Sequence, residues 1–193
     1  MTLVQFPRSA RRVGAGRAII AFVDFQHEYL AEGRPHTISE AQPALDRSAR
    51  LLAAARDFRM PVAHFRQVRQ SPYFNREAAV TDWIEPFRPR GHEMVFERAK
   101  PSVYASGAFT SFLRHIDSPV IVLAGLSSDQ ACLATAIDAF HRDHTLIYVS
   151  DCSATPSIDH MNETASHSFV ADLIARYAQV ITLADFVEQA ASA

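Results

Sequence analysis

SPVIVLAGLSSDQACLATAIDAF, residues 118–140, decides the fold. Its first nine residues form a nearly unbroken apolar run, the pattern of a strand buried on both faces of a parallel sheet. Gly125 and the polar residues 127–129 end that strand. A helix is predicted from about Asp129 to Arg142, with Asp129 placed to cap it. A buried strand running into a helix through a short polar turn is the repeating half of a βαβ unit.

The flanking sequence repeats the alternation. RAIIAFVDF (17–25) is a second buried-strand pattern, and residues 1–16 read as an irregular lead-in. Ser39 is placed to cap a helix running to about Phe58, and MPVAHFR (60–66) and EMVFER (93–98) read as strands. Residues 67–93 read as a long loop with a short helix near 77–86. A loop of that length in a compact domain is often functional. Helices are predicted for 107–115 and from Ser157 or Asp159 to about Tyr177, and strands for 144–151 and 179–186, before a helical terminus. The expectation is an α/β chain. It forms one three-layer domain over 1–193, with a doubly wound, mainly parallel sheet flanked by helices.

Composition narrows the function classes. A formal net charge of −2 gives neither a basic footprint for nucleic acid nor an acidic tail. No apolar run approaches the roughly 18 residues of a membrane helix, and no signal-peptide order opens the chain. A cytoplasmic location is the expectation. The two cysteines, Cys132 and Cys152, lack metal spacing and suggest no disulfide framework.

Of the 19 basic residues only Lys100 is a lysine. In a chain that otherwise uses arginine, a retained amine suggests a role that a planar, permanently charged guanidinium cannot fill. In doubly wound sheets, ligands bind outside the carboxyl ends of the strands. Asp24, His64, Lys100 and residues 126–132 all fall at such ends, so Asp24 and Lys100 are expected to converge on the turn after Gly125.

These residues resemble the isochorismatase-like superfamily of cysteine hydrolases. VDFQ (23–26), RAKPSVYASGAF (98–109) and GLSSDQACLATAIDAF (125–140) carry the resemblance. It implies Asp24 as the acid–base group and Lys100 as the stabilising cation. It also implies a cis peptide at Leu126–Ser127, and an oxyanion site formed by the backbone N–H groups of Ser127 and Ala131. The family nucleophile is a cysteine six residues after the glycine and four before the threonine of the T-A-x-D-A helix. Both counts land on Ala131, and Cys132 stands one residue late.

Three readings follow from that register. The chain is an engineered variant of a cysteine hydrolase, or a natural member without a nucleophile, or Cys132 acts in a shifted register. One residue along a helix turns a side chain by about 100°, which points Cys132 into the packing. The resemblance implies a hydrolase acting on a small amide or ureido C–N bond. The alternatives are non-covalent cleavage of a vinyl ether with Asp24 as general acid, and a catalytically silent binding protein.

Phe25, His64, Arg66, Tyr73, Trp83 and Phe109 are the candidate substrate-binding residues, each with a packing or surface reading beside the functional one. Residues 63–74 hold only His64 where metal-binding relatives carry an Asp-x-His and a further His, so no metal and no cofactor is expected. The expected partner is a small-molecule substrate. Nucleic acid and membrane partners are not expected, and a homo-oligomer, dimer or tetramer, is implied by the resemblance alone.

Overall fold

The computed structural model describes residues 18–116 and 120–192, so the lead-in 1–16 lies outside the described residues. The described residues form six strands and five helices: β1 (Ala18–Val23), α1 (Gln42–Asp57), β2 (Val62–Gln67), β3 (Met94–Arg98), α2 (Gly107–Leu113), β4 (Val120–Gly125), α3 (Leu133–His141), β5 (Thr145–Val149), α4 (Glu163–Ile174), β6 (Gln179–Ile181) and α5 (Leu183–Ala191). The sheet order is β3-β2-β1-β4-β5-β6, and every neighbouring pair is parallel.

That order reverses direction between β1 and β4. Such a switch point is where parallel α/β sheets bind ligands, in a crevice at the carboxyl ends, because the crossovers on either side leave toward opposite faces. Asp24 follows β1 and the 126–132 turn follows β4, so both flank the crevice.

All six positions of β1 and of β4 are buried, which is why their sequences run apolar without alternation. Ile20, Phe22 and Val122 pack one face against α1 and α5 through Leu45, Leu52 and Phe186. Ile19, Val23 and Ile121 pack the other against α2, α3 and α4 through Phe109, Ala136 and Val170. These are the three layers.

Several local expectations differ from the structure. Helix α1 starts at Gln42 with Pro43 in its first turn, and Ser39 does not cap it; the Ser39 N–H instead donates to the Glu163 carboxylate. The loop 68–93 contains one 3-10 turn, Ala79–Thr81, rather than a helix over 77–86. Helix α4 is capped by Asn162 and α5 by Thr182 in a capping box, which ends the last strand at Ile181.

Candidate active site

The turn after β4 is built by close approach of the two central strands. A Cβ on Gly125 would stand 2.7 Å from the carbonyl oxygen of Val23, so only glycine lets β4 pass β1 there. The Leu126 N–H donates to that same carbonyl at 2.9 Å, and the Leu126–Ser127 peptide is cis. The chain then enters a single π-helical turn, Ser128–Cys132, before α3. Ala154 holds the turn from the β5 side by accepting from both the N–H and the hydroxyl of Ser128, at 2.9 and 3.0 Å.

Opposite this turn lies Asp24. Its φ of 57° is the left-handed region, which aspartate tolerates better than most residues. Its Oδ2 accepts from Arg98 Nη2 at 2.6 Å, and both side chains are wholly buried. Arg98 Nη1 donates to Gln67 Oε1 and to the Lys100 carbonyl, at 3.2 and 2.6 Å. Gln26 fastens the other side of the pair, accepting from the Gln67 N–H and donating to the Gln67 and Thr81 carbonyls. Burial pushes Asp24 up to about 6, with the Arg98 charge and hydrogen bond opposing it. A carboxyl poised there can give or take a proton near neutrality.

Four buried polar atoms around this pair have no hydrogen-bond partner: Asp24 Oδ1, Arg98 Nε, Ser127 Oγ and Asp129 Oδ1. Unmet buried groups are costly, and at a crevice they mark where a ligand or water binds. Tyr29 closes the site. Its phenol neighbours the Ser127 hydroxyl without the geometry of a hydrogen bond. Burial raises its pKa well above the ordinary value, and the Asp24 charge adds to that rise.

Residues 18–185 match the Isochorismatase domain. The chain belongs to that family. It is a hydrolase of the isochorismatase type, similar to a maleamate amidohydrolase of Pseudomonas putida at 26% identity over 93% of this chain and 90% of that protein. Among solved structures, an isochorismatase from Pseudomonas putida superposes with a TM-score of 0.82 at 22% identity, covering 92% of this chain and 93% of that one. A cysteine hydrolase from Pseudomonas syringae pv. phaseolicola gives 0.78 at 18% identity, covering 91% and 93%. At those identities the two structures show the shared fold.

Within the isochorismatase fold of this chain, Asp24 and the 126–131 turn lie on adjacent strand ends, and the cation paired with Asp24 is Arg98. Strand β3 presents Phe96 and Arg98 inward by alternation and ends at Arg98. Lys100 lies two residues past that end and is exposed, and its carbonyl accepts from Arg98. Arg98 therefore occupies the place read for the lysine. Ala131 is buried beside the turn. Its N–H donates to the Ser127 carbonyl at 2.9 Å, which removes it as a free oxyanion donor.

Cys132 is fully buried in the layer facing α2, α3 and α4, and burial pushes its thiol well above the ordinary range. A thiol that stays protonated is no nucleophile. Asp129 makes no cap bond.

Most of the candidate substrate contacts are structural. His64 points to the α1 face, where its Nε2 pairs with Glu93 at 2.9 Å between Phe22 and Trp83. Phe25 stacks on Phe87, and Phe109 packs against Phe65 and Phe96. Arg66 is tied to Glu97 and lies over Trp83. Tyr73 alone sits at the rim, exposed and edge-on to His36. The sequence reading did not single out Arg98, Tyr29, His36 or Gln67.

Among the described residues no group of three His, Cys, Asp or Glu side chains could hold a metal ion. No helix there is long and apolar enough to cross a membrane.

Proposed function

We propose that this isochorismatase-family hydrolase works without a covalent enzyme intermediate, using Asp24 as its proton donor. The carrying observation is the pairing of a methyl group at position 131 with a buried, poised carboxyl at position 24. A vinyl ether needs one acid to protonate its terminal carbon, after which water adds to the oxocarbenium ion and the hemiketal collapses. Asp24 suffices for the first step. Arg98 keeps Asp24 from rising further, and offers its Nε–H to an anionic or carbonyl oxygen of the substrate. The substrate class is a small, carboxylate-bearing enol ether, bound in the crevice between β1 and β4.

A second reading is hydrolysis of a small amide such as a dicarboxylic monoamide, with Asp24 protonating the departing nitrogen. The similarity to a maleamate amidohydrolase favours it. It asks more of the site, since water must attack an amide carbonyl unaided by a thiolate.

The test is a turnover panel of carboxylate-bearing enol ethers and monoamides, maleamate included, with the protein and with Asp24→Asn. The expected result is enol-ether cleavage, no enzyme adduct by intact-mass measurement, and a loss of about 10² to 10⁴ in rate for Asp24→Asn. Undiminished turnover by Asp24→Asn, or a trapped acyl adduct, would overturn the reading. Amide turnover alone would install the second one.

A further inference from the structure

The substrate class proposed above carries a carboxylate, and Asp24 serves only its reacting end. The neighbouring strand ends supply a receptor for the other end. Strand β2 ends at Gln67, whose side chain accepts from Arg98 Nη1 at 3.2 Å. The Val68 N–H donates to the Arg98 carbonyl at 2.9 Å, so the pairing of β2 with β3 runs on past Gln67. Residues two apart on an extended chain share a face. Arg69 therefore leaves on the side of Gln67 and of the Asp24–Arg98 pair. Its Nε donates to the Ala99 carbonyl at 3.0 Å, one residue beyond Arg98.

Arg69 is fixed from the other side as well. Its N–H donates to the Phe74 carbonyl at 2.8 Å, and its guanidinium lies 5.9 Å from the Phe74 ring centre. Phe74 is itself buried. Its ring packs 5.3 Å from that of Tyr29, and its N–H donates to the buried Glu28 carboxylate at 3.4 Å. With Nε used by Ala99, the two Nη groups of Arg69 remain, and neither has a hydrogen-bond or ion-pair partner among the described residues. The nearby arginines are engaged: Arg66 and Arg76 bind Glu97, and Arg34 binds both carboxylate oxygens of Glu28. Arg69 also lines a cavity of about 760 Å³ outside the strand ends, together with Gln70, Asn75, Arg76, Glu77 and Ala99. A guanidinium held by its Nε, with its outer edge open to a cavity, can take a carboxylate through two parallel hydrogen bonds.

The geometry points to Arg69 as the receptor for the substrate's carboxylate, holding it beside Ala99 while the reacting end lies against Asp24 and Arg98. This rests on the reading that the substrate is a small carboxylate-bearing molecule in the crevice, and it applies to the enol ether and the monoamide alike. No bond is made or broken at Arg69; its part is binding and orientation. Glu77, the acidic side chain lining the same cavity, is exposed, so water screens its repulsion of the anion. The Arg69 charge also reaches Asp24, where it opposes the rise of the carboxyl. A substrate carboxylate seated on Arg69 cancels part of that field, so Asp24 holds its proton more firmly once the substrate is in place.

The experiment titrates maleate into the full chain, Arg69→Gln, Arg69→Lys and Arg76→Gln by calorimetry. The full chain should bind maleate, and Arg69→Gln should bind it about tenfold or more weakly. Arg69→Lys should keep part of the affinity, because the charge stays and the planar edge goes. Arg76→Gln should stay within about twofold of the full chain. In turnover, Arg69→Gln should raise KM by about tenfold and leave kcat within about threefold. That penalty should vanish on the methyl ester of the same substrate, which a merely disturbed loop would not spare. Equal maleate affinity in Arg69→Gln and the full chain, or an equal loss in Arg76→Gln, would overturn the receptor assignment and leave the Asp24 reading standing. Failure of the full chain to bind maleate would instead remove the carboxylate-bearing substrate class, and the assignment with it.

Discussion

Arg98 Nη2 lies 2.6 Å from Asp24 Oδ2, with both side chains removed from solvent. The pair joins the ends of two strands that are not neighbours, since β2 lies between β1 and β3. Gln67, at the end of β2 and opposite Arg98 in register, bridges them. One ion pair thus ties three strand ends at the mouth of the crevice. Its net effect on folding is not simply favourable: desolvation outweighs the attraction of Arg98 and leaves Asp24 near 6, above its ordinary 3.8.

A raised carboxyl has a definite pH consequence. The folded state holds the Asp24 proton more tightly than the unfolded chain, so the stability it contributes is fully present below about pH 4 and is lost as pH rises through 6. The shift of about two units corresponds to about 3 kcal/mol. Urea unfolding of the protein and of Asp24→Asn at pH 4 to 7 should show the variant gaining relative stability across that window by up to this amount. A gap between the two that is flat with pH would refute the assignment.

Arg98→Met removes the cation and leaves the carboxyl. At pH 8 Asp24 is then a buried, unpaired anion, and about 3–5 kcal/mol of stability should be lost. At pH 5 Asp24 is mostly protonated with or without Arg98, so no unpaired anion is left behind and the loss should shrink. Denaturant midpoints at the two pH values measure this. An equal loss at both would mean that Arg98 acts through packing rather than through charge.

Lys100 provides the contrasting case. Its side chain is exposed, and no ion pair to it occurs among the described residues. Lys100→Arg and Lys100→Ala should change stability by less than about 0.5 kcal/mol and leave turnover within twofold. A loss of activity comparable to that of Asp24→Asn would restore the amine to the site.

The contrast between Lys100 and Arg98 shows how far sequence reaches here. The buried strands, their parallel pairing and the turn after Gly125 were legible, because continuous apolar runs and a glycine at a strand end have few other uses. Asp24 was legible as the residue closing the first such run. Rarity singled out Lys100 but not Arg98, which pairs with Asp24. A unique residue type says nothing about where a side chain points, whereas alternation along 94–98 would have placed Phe96 and Arg98 inward together. His36 and Tyr29 were illegible for another reason. Their loop is positioned by Glu28 and Arg34 reaching residues 72–74, about forty positions away, and no local pattern encodes that contact.

The same geometry separates positions 131 and 132. Ala131 sits in the π-helical turn bordering Asp24, and Cys132 faces inward against Gly125, where a Cβ on that glycine would come within 3.3 Å of its sulfur. In the protein as it stands, iodoacetamide should leave Cys132 and Cys152 unmodified under native conditions, since both are buried and burial raises both thiols. Ala131→Cys should add one thiol at a position as buried as Cys132. It should likewise stay unmodified by iodoacetamide in the folded protein, and one further alkylation, mapped to position 131 by peptide digestion, should appear only on unfolding. Modification of Cys132 in the unsubstituted protein, at a rate near that of a free thiol, would show that the turn opens in solution and would reinstate Cys132 as a nucleophile.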